Sequence, residues 1–226
     1  MIKPIRYCYL MAILIMAGCG LNNKSHAPKL SVDLYVRYLA DNAEFMAQAT
    51  FKEGDTIETA RPKTMTGGVA FQHSGMEERD MSGLVRYEVK RRGPFNPPFT
   101  FSFNNEKGEK DNIEVVVNPI DSFYVKGEAV KTKGLTIGLK ASSISPEETL
   151  IALFSDQAGQ SASLNFAGPF ESGELFIPGS TLAALQPGKL QVYLVRTSTK
   201  TEDGPRRNLV AVGEYYTATI ETTLVN

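Results

Sequence analysis

Apolar and polar residues alternate along most of this chain with a period of two. The first such segment, residues 30–38, would place five apolar side chains on one side of an extended strand. This alternation is typical of a β-strand with one buried face, whereas an amphipathic helix repeats about every 3.6 residues. Turn-forming residues separate it from further segments of the same kind. These segments are 45–51, 69–71, 85–89, 99–103 and 113–117.

The sequence Asn-Pro-Ile-Asp at 118–121 breaks this rhythm, after which the alternation starts again. The later segments are 123–125, 135–139, 150–154, 162–166, 175–177, 192–194 and 210–224. Many short strands between turn signals are typical of a β-sandwich. We therefore predict an all-β chain with two small antiparallel β-sandwich domains in tandem, at 30–118 and 119–226. A single elongated sandwich is the alternative.

One short segment has helical spacing instead. Ser180 is a suitable cap for it, and Leu182 and Leu185 would lie on one face. The sequence Leu-Gln-Pro-Gly at 185–188, between two strands, resembles the corner before strand F in fibronectin type III and other immunoglobulin-like sandwiches. The chain departs from that family at Gln191, where a buried tyrosine is usual. The resemblance implies immunoglobulin-like domains and no particular function.

The N-terminus has the pattern of a secretory signal. Lys3 and Arg6 precede an uncharged, mostly apolar run at 7–18, which is shorter than the roughly 20 residues of a membrane-spanning helix. The sequence Met-Ala-Gly-Cys ending at Cys19 resembles the lipobox of bacterial lipoproteins, with methionine in place of the usual leucine. The resemblance implies a signal peptide at 1–18, acylation of Cys19 and a flexible tether at 19–29. An ordinary secretory signal that leaves Cys19 as a free thiol is the alternative, and an uncleaved membrane anchor is a weaker one.

Composition narrows the classes of function. Cleavage before Cys19 would leave 208 residues with a net charge of −3 and that residue as the only cysteine. The fold would then rest on its hydrophobic core, without a disulfide. A nearly balanced charge argues against a nucleic-acid partner, which needs clustered positive charge. Gly20, rather than aspartate, follows the cysteine, and by the family's sorting pattern this favours the outer membrane.

Catalytic and metal-binding patterns are weak in the sequence. The two histidines are His26, in the predicted tether, and His73, which we interpret as a solvated loop residue. The segment 72–82, which contains His73, is predicted to be one long exposed loop. Neither a nucleophile elbow nor a zinc motif occurs. Acidic residues cluster at 77–80 and 106–111 without the spacing of an EF-hand loop, and we interpret them as solvated turn charge. We expect no catalytic residue, no metal ligand and no cofactor.

The most unusual predicted loop spans residues 91–98. It combines Arg91, Arg92 and Phe95 with three prolines. Arginine and aromatic residues dominate protein–protein hot spots, so this loop is the candidate contact loop. The alternative, which we favour, is that Phe95 packs onto the end of the sandwich while the prolines stiffen the loop.

These patterns together predict a lipid-anchored protein of the cell envelope that binds a protein partner without being an enzyme. A glycan-binding or adhesion role is the second hypothesis. It is weakened by the lack of tryptophan and would use Tyr35, Tyr193 or Tyr215 if these are exposed; we prefer that they fill a second buried face or a domain junction. A carboxylate-based hydrolase is the least favoured class.

Overall fold

The computed structural model describes residues 28–54, 56, 59–105, 107–171 and 173–226. Strands account for 65% of the described residues and helices for 4%, which confirms the prediction of an all-β, sandwich-like fold. The predicted signal peptide at 1–18, Cys19 and the tether as far as residue 27 lie outside the described residues. No helix in the described part has the length and apolar character needed to span a membrane.

The strands follow the predicted alternation closely. The first half contains β1 (Lys29–Leu39), β2 (Glu44–Gly54), β3 (Arg61–Pro62), β4 (Val69–Phe71), β5 (Ser74–Gly75), β6 (Glu77–Asp80), β7 (Val85–Arg92), β8 (Phe99–Asn104) and β9 (Lys110–Val115). The second half contains β10 (Ile120–Val130), β11 (Gly134–Ala141), β12 (Glu148–Asp156), β13 (Ser161–Ala167), β14 (Glu174–Ile177), β15 (Gly188–Asp203), β16 (Arg207–Tyr216) and β17 (Ile220–Val225). A short 3-10 helix (Ala40–Asn42) and the α-helix α1 (Gly179–Leu182) complete the described elements.

The strands form one large sheet and one small sheet. The large sheet has the order β14-β11-β10-β17-β15-β16-β1-β2-β7-β6, with β3 attached to β2 and the pair β12–β13 attached to β15. The small sheet has the order β5-β4-β8-β9. Most neighbours are antiparallel, but β1 pairs with β16 and β10 pairs with β17 in parallel. The large sheet is therefore mixed, because these two pairings bring together strands that are distant in sequence.

The small sheet packs on the first half of the large sheet and encloses an aromatic core. Alternate residues of β1, β2 and β8 point into it, as their period of two predicts. Phe51 and Phe103 meet edge to face with ring centroids 4.8 Å apart, a favourable arrangement of aromatic rings. The largest buried side chains in this core are Leu34, Phe51, Phe71, Tyr87, Phe99, Phe101 and Phe103.

A second core lies among the strands of the second half and beneath α1. Leu182 and Leu185 are both buried in it, as their spacing predicts. The helix cap differs from the prediction: Pro178 occupies the N-cap position and Ser180 lies inside the helix. The main buried side chains are Ile120, Ile137, Leu139, Leu150, Phe154, Ile177, Leu190, Val192, Leu194 and Leu224.

The two cores share strands across the predicted boundary. Core residues up to Val117 belong to the first core, and most core residues from Ile120 onward belong to the second. Leu209 and Ala211 of β16 are exceptions, because they lie in the first core. Tyr215 packs against both cores. A cut at residue 118 would thus remove β16 from the core that it helps to fill, and the division into two domains stays a prediction.

The segment 72–82, predicted to be one long exposed loop, contains two short strands. Residues of β5 pair with β4, and residues of β6 pair with β7. Gln72 and His73 form the two-residue connection between β4 and β5 with φ of 47° and 64°. Positive φ at both central residues is the geometry of a tight hairpin, which side chains other than glycine adopt at a cost. The prediction of a loop was wrong because neither residue is a usual signal for such a turn.

Candidate functional site

The candidate contact loop lines a pocket at one end of the first core. This pocket has a volume of about 660 Å³. Its wall combines the β4–β5 hairpin, the end of β7 and the loop that follows. The residues that line it are Phe45, Gln72, His73, Arg91, Arg92, Gly93, Pro94, Asn96, Pro97, Pro98, Phe99 and Thr100.

Gln72 fixes the loop against the hairpin. Its side-chain amide donates hydrogen bonds to the carbonyl oxygens of Asn96, at 3.4 Å, and Pro98, at 3.1 Å. Its side-chain oxygen accepts a hydrogen bond of 3.2 Å from the Thr100 amide. One residue therefore satisfies backbone groups on both sides of a loop whose prolines supply no donors. Sequence reasoning missed Gln72, because a lone glutamine carries no signal of this role.

Arg91 lies on an aromatic floor. Its guanidinium carbon is 4.7 Å from the ring centroid of Phe45 and 6.0 Å from that of Phe71. It also donates a hydrogen bond of 3.1 Å to the Ser74 hydroxyl. A cation over an aromatic face is held in place electrostatically, so the charge of Arg91 is positioned at the pocket wall. Arg92 is adjacent and exposed.

Phe95 is half-buried. Its ring lies 5.0 Å from that of Tyr38, 5.7 Å from that of Phe99 and 5.2 Å from that of Tyr215, each in an edge-to-face arrangement. Burial raises the pKa of Tyr215, with Tyr38 and Asp121 adding to the shift. This is the packing that the sequence analysis favoured for Phe95. The arginines, rather than Phe95, are therefore the available contact groups of the loop.

The lining of the pocket contains two arginines, Arg91 and Arg92. In the described part of the chain, none of its lining residues is acidic, and neither Arg91 nor Arg92 forms an ion pair. An arginine is always charged in proteins, and its planar fork matches a carboxylate or phosphate. The arrangement is suited to binding an anionic group above an aromatic floor.

His73 lies beside Arg91 and Arg92 in the lining of the pocket, and no described lining residue is a carboxylate. Among described residues, no three side chains of His, Cys, Asp or Glu are grouped so as to hold a metal ion. Of the acidic cluster at 77–80, Glu77 pairs with Arg79 at 3.2 Å on exposed β6. In the other predicted cluster, Asp111 lies 3.6 Å from Arg207.

The three tyrosines considered for glycan binding are half-buried. Tyr35 donates a hydrogen bond of 2.5 Å to Glu214, and burial together with that carboxylate raises its pKa. Tyr193 stacks on Tyr216 with centroids 6.4 Å apart, and Tyr215 bridges the two cores. The preferred interpretation of these tyrosines, as packing residues, agrees with these contacts.

The pocket lies at the opposite end of β1 from Lys29, near which the described residues begin. Phe95 packs on Tyr38, near the end of the strand, whereas Lys29 begins it. A strand of 11 residues spans about 33 Å.

A comparison of the sequence with protein-family models gives no match, and a comparison with curated proteins gives none. The function therefore has to be inferred from these residues and their geometry.

Proposed function

We propose that this chain is a lipid-anchored binding module of the cell envelope, and that the pocket beside Arg91 and Arg92 contacts an acidic segment of a protein partner. The observation that carries the proposal is the pair of arginines without a carboxylate at a pre-formed pocket. The anchor itself is inferred from the lipobox-like sequence at Cys19.

The chemistry of the pocket favours an acidic group with apolar neighbours. Arg92 is exposed and free to pair with an incoming carboxylate, while Phe45 and Phe99 form the apolar part of the wall. A charge-assisted hydrogen bond contributes about 1.5–3 kcal/mol. A bound carboxylate would supply a counter-charge to the arginines. Because Gln72 already holds the loop in place, binding would cost little conformational entropy.

The position of the pocket is consistent with recognition at a distance from the membrane. The nine residues between Cys19 and Lys29 can span at most about 30 Å, and β1 adds about 33 Å before the chain reaches the pocket. Anchoring raises the local concentration of envelope partners without changing contact affinity. The proposed role is that of a non-enzymatic binding module.

We expect a photo-reactive amino acid placed at exposed Asn96 to cross-link a protein partner in intact cells. The change Arg92→Glu should lower the cross-linking yield at least about tenfold, because it replaces attraction by repulsion and removes one charge-assisted hydrogen bond. Arg206→Glu is the matched control, since Arg206 is also exposed but lies at the other end of the sandwich. Equal yields from the Arg92→Glu and unmodified chains would rule out this pocket as the contact site.

Glycan binding has one observation in its favour, on a different surface. Tyr124 of β10 is 58% exposed and its ring lies across Gly138 of β11, whose added Cβ would come within 2.3 Å of it. Phe176 of β14 is 60% exposed on the same outer face. A flat aromatic ring beside the Lys126–Glu174 ion pair is suited to stacking on a sugar.

For that second role we expect retention on a column of envelope glycans to fall severalfold in Tyr124→Ala. The exposed methionine Met81, on another surface, provides the control Met81→Ala, which should be retained like the unmodified chain. Both substitutions remove exposed side chains, so neither should unfold the protein. If the two variants elute together, the glycan hypothesis loses its support.

A further inference from the structure

The edge strands of the sheets differ in how they are protected. An exposed strand edge offers unpaired backbone groups to other chains, and proteins usually guard it with charge, proline or short length. Among the described strands, β6 has four charged residues, β9 has three, β14 has only four residues and includes a glutamate, and β3 and β5 have two residues each.

The edge strand β13 lacks all of these protections. It has seven residues, none of them charged and none of them proline. The uncharged stretch extends well beyond it, over residues 157–170, with Asp156 and Glu171 as the nearest charges. Ser161, Ser163 and Asn165 are exposed on its outer face. It is the longest of the described strands that pair with only one neighbouring strand.

Among the described residues, the backbone of β13 forms hydrogen bonds with β12 alone. Two backbone hydrogen bonds of 3.0 Å lie at the two ends of its pairing with β12. At one end the Asp156 amide donates to the Gln160 carbonyl, and at the other the Gly168 amide donates to the Glu148 carbonyl. In an antiparallel pair these bonded positions recur at every second residue. The even-numbered residues of β13 therefore bond to β12, and the amides and carbonyls of residues 161, 163, 165 and 167 point outward.

We propose that β13 pairs with β13 of a second copy of this chain, antiparallel and about a two-fold axis at Leu164. This register places Ser163 opposite Asn165 and Ser161 opposite Ala167, and all four have outward backbone groups. Each side-chain pair is uncharged, so nothing in it opposes close approach. A two-fold pairing uses the same patch on both copies, which one self-complementary strand provides.

A second copy fits this edge better than a charged partner strand does. A partner with charged residues would have to desolvate them against serine, alanine and asparagine, which offer no counter-charge. The other edges of the same chain disfavour self-pairing, because a second β6 would bring like charges together. Extension of the sheet through β13 leaves those edges free.

The test is the oligomeric state of the full chain in detergent, measured by analytical ultracentrifugation over a wide concentration range. We expect a monomer–dimer equilibrium for the unmodified chain. The double change Ser163→Lys with Asn165→Lys should raise its dissociation constant at least tenfold, because four ammonium groups then face one another. The control is Ser122→Lys with Thr223→Lys, which adds the same charge at exposed positions of β10 and β17, two strands that do not pair with β13.

A second measurement does not depend on any variant. Hydrogen exchange of the outward amides of residues 161, 163, 165 and 167 should slow as the concentration of the unmodified chain rises. A chain that stays monomeric at all concentrations overturns the proposal. So does a dimer that persists in the double lysine variant with these amides still exchanging fast, because it would use another surface.

Discussion

Replacing Glu148 by alanine is expected to lower the free energy of unfolding by about 3–5 kcal/mol, because it leaves Arg196 buried without its counter-charge. The side chains of Arg196 and Glu148 are only 1% and 3% exposed. Two parallel hydrogen bonds join them, from Nε to Oε1 at 2.8 Å and from Nη2 to Oε2 at 2.7 Å. An isolated buried charge is far more costly than a lost surface ion pair.

The network around this pair joins the two cores. Arg196 also donates to the backbone carbonyls of Pro119, Ser142 and Ser143, at 3.3, 3.3 and 2.8 Å, and to the Ser142 hydroxyl at 2.8 Å. Its guanidinium therefore lies between β15 and the connection from β9 to β10. Removal of Glu148 leaves these contacts in place but takes away the negative charge that makes burial of the arginine acceptable.

Chemical denaturation measures this change, and its pH dependence identifies the cause. Burial raises the pKa of the Glu148 carboxyl, but hydrogen bonds from Arg196, the Ser145 amide and Asn118 outweigh it and hold the pKa below its usual value. The stabilisation is then complete above the pKa of an unfolded glutamate, about 4.3. It is lost as the pH falls through the lower folded pKa. The gap between unmodified and Glu148→Ala chains should narrow there.

The matched control is Glu174→Ala, which removes the carboxylate of an exposed ion pair with Lys126. Exposed pairs contribute little to stability, so this variant should unfold close to the unmodified chain. A Glu148→Ala chain that behaves like the control, or a stability gap that stays constant through acid pH, would show that the buried pair does not stabilise the junction.

Local pattern was enough to predict the strands but not their neighbours. The alternation of β1 correctly assigned Leu34 and its companions to the core. It held no information about the partner, because a parallel pairing with β16 depends on a strand more than 170 residues away in the sequence. The chain also passes close to Gly213 of β16: a Cβ at this position would lie 2.1 Å from the Val116 carbonyl oxygen. The sequence alone does not show that this position must be glycine.

The buried ion pair had a signal that sequence reasoning did not use. Leu190, Val192 and Leu194 occupy the inward positions of β15, and the same parity continues to Arg196. A charged residue on the buried face of a strand requires a partner. The partner Glu148 could not be chosen among 25 acidic residues, because the choice is made by tertiary packing. The loop at 91–98 could be found from the sequence, because its arginines and prolines are consecutive or nearly so. The role of Gln72 could not, because it depends on tertiary contacts with that loop.

The change Cys19→Ala is expected to abolish acylation of the chain. Each buried methylene of an acyl chain contributes about 0.8 kcal/mol, and one chain alone gives only marginal binding, so stable anchoring depends on the several chains that a lipobox cysteine receives. We expect labelled palmitate to be absent from the variant and its processing to be altered, because in the lipoproteins that the sequence resembles cleavage follows acylation of this cysteine.

The chain supplies its own control for this experiment, because Cys8 lies within the predicted signal peptide. Cys8→Ala removes the other cysteine but should leave palmitate incorporation and membrane association intact, since cleavage before Cys19 discards it. The two variants separate the hypotheses that the sequence left open. An ordinary secretory signal predicts a soluble, unlabelled protein in all three chains, and an uncleaved anchor predicts an unlabelled protein of full precursor mass in all three. Acylation at Cys19 predicts that only Cys19→Ala loses the label and is no longer cleaved like the unmodified chain.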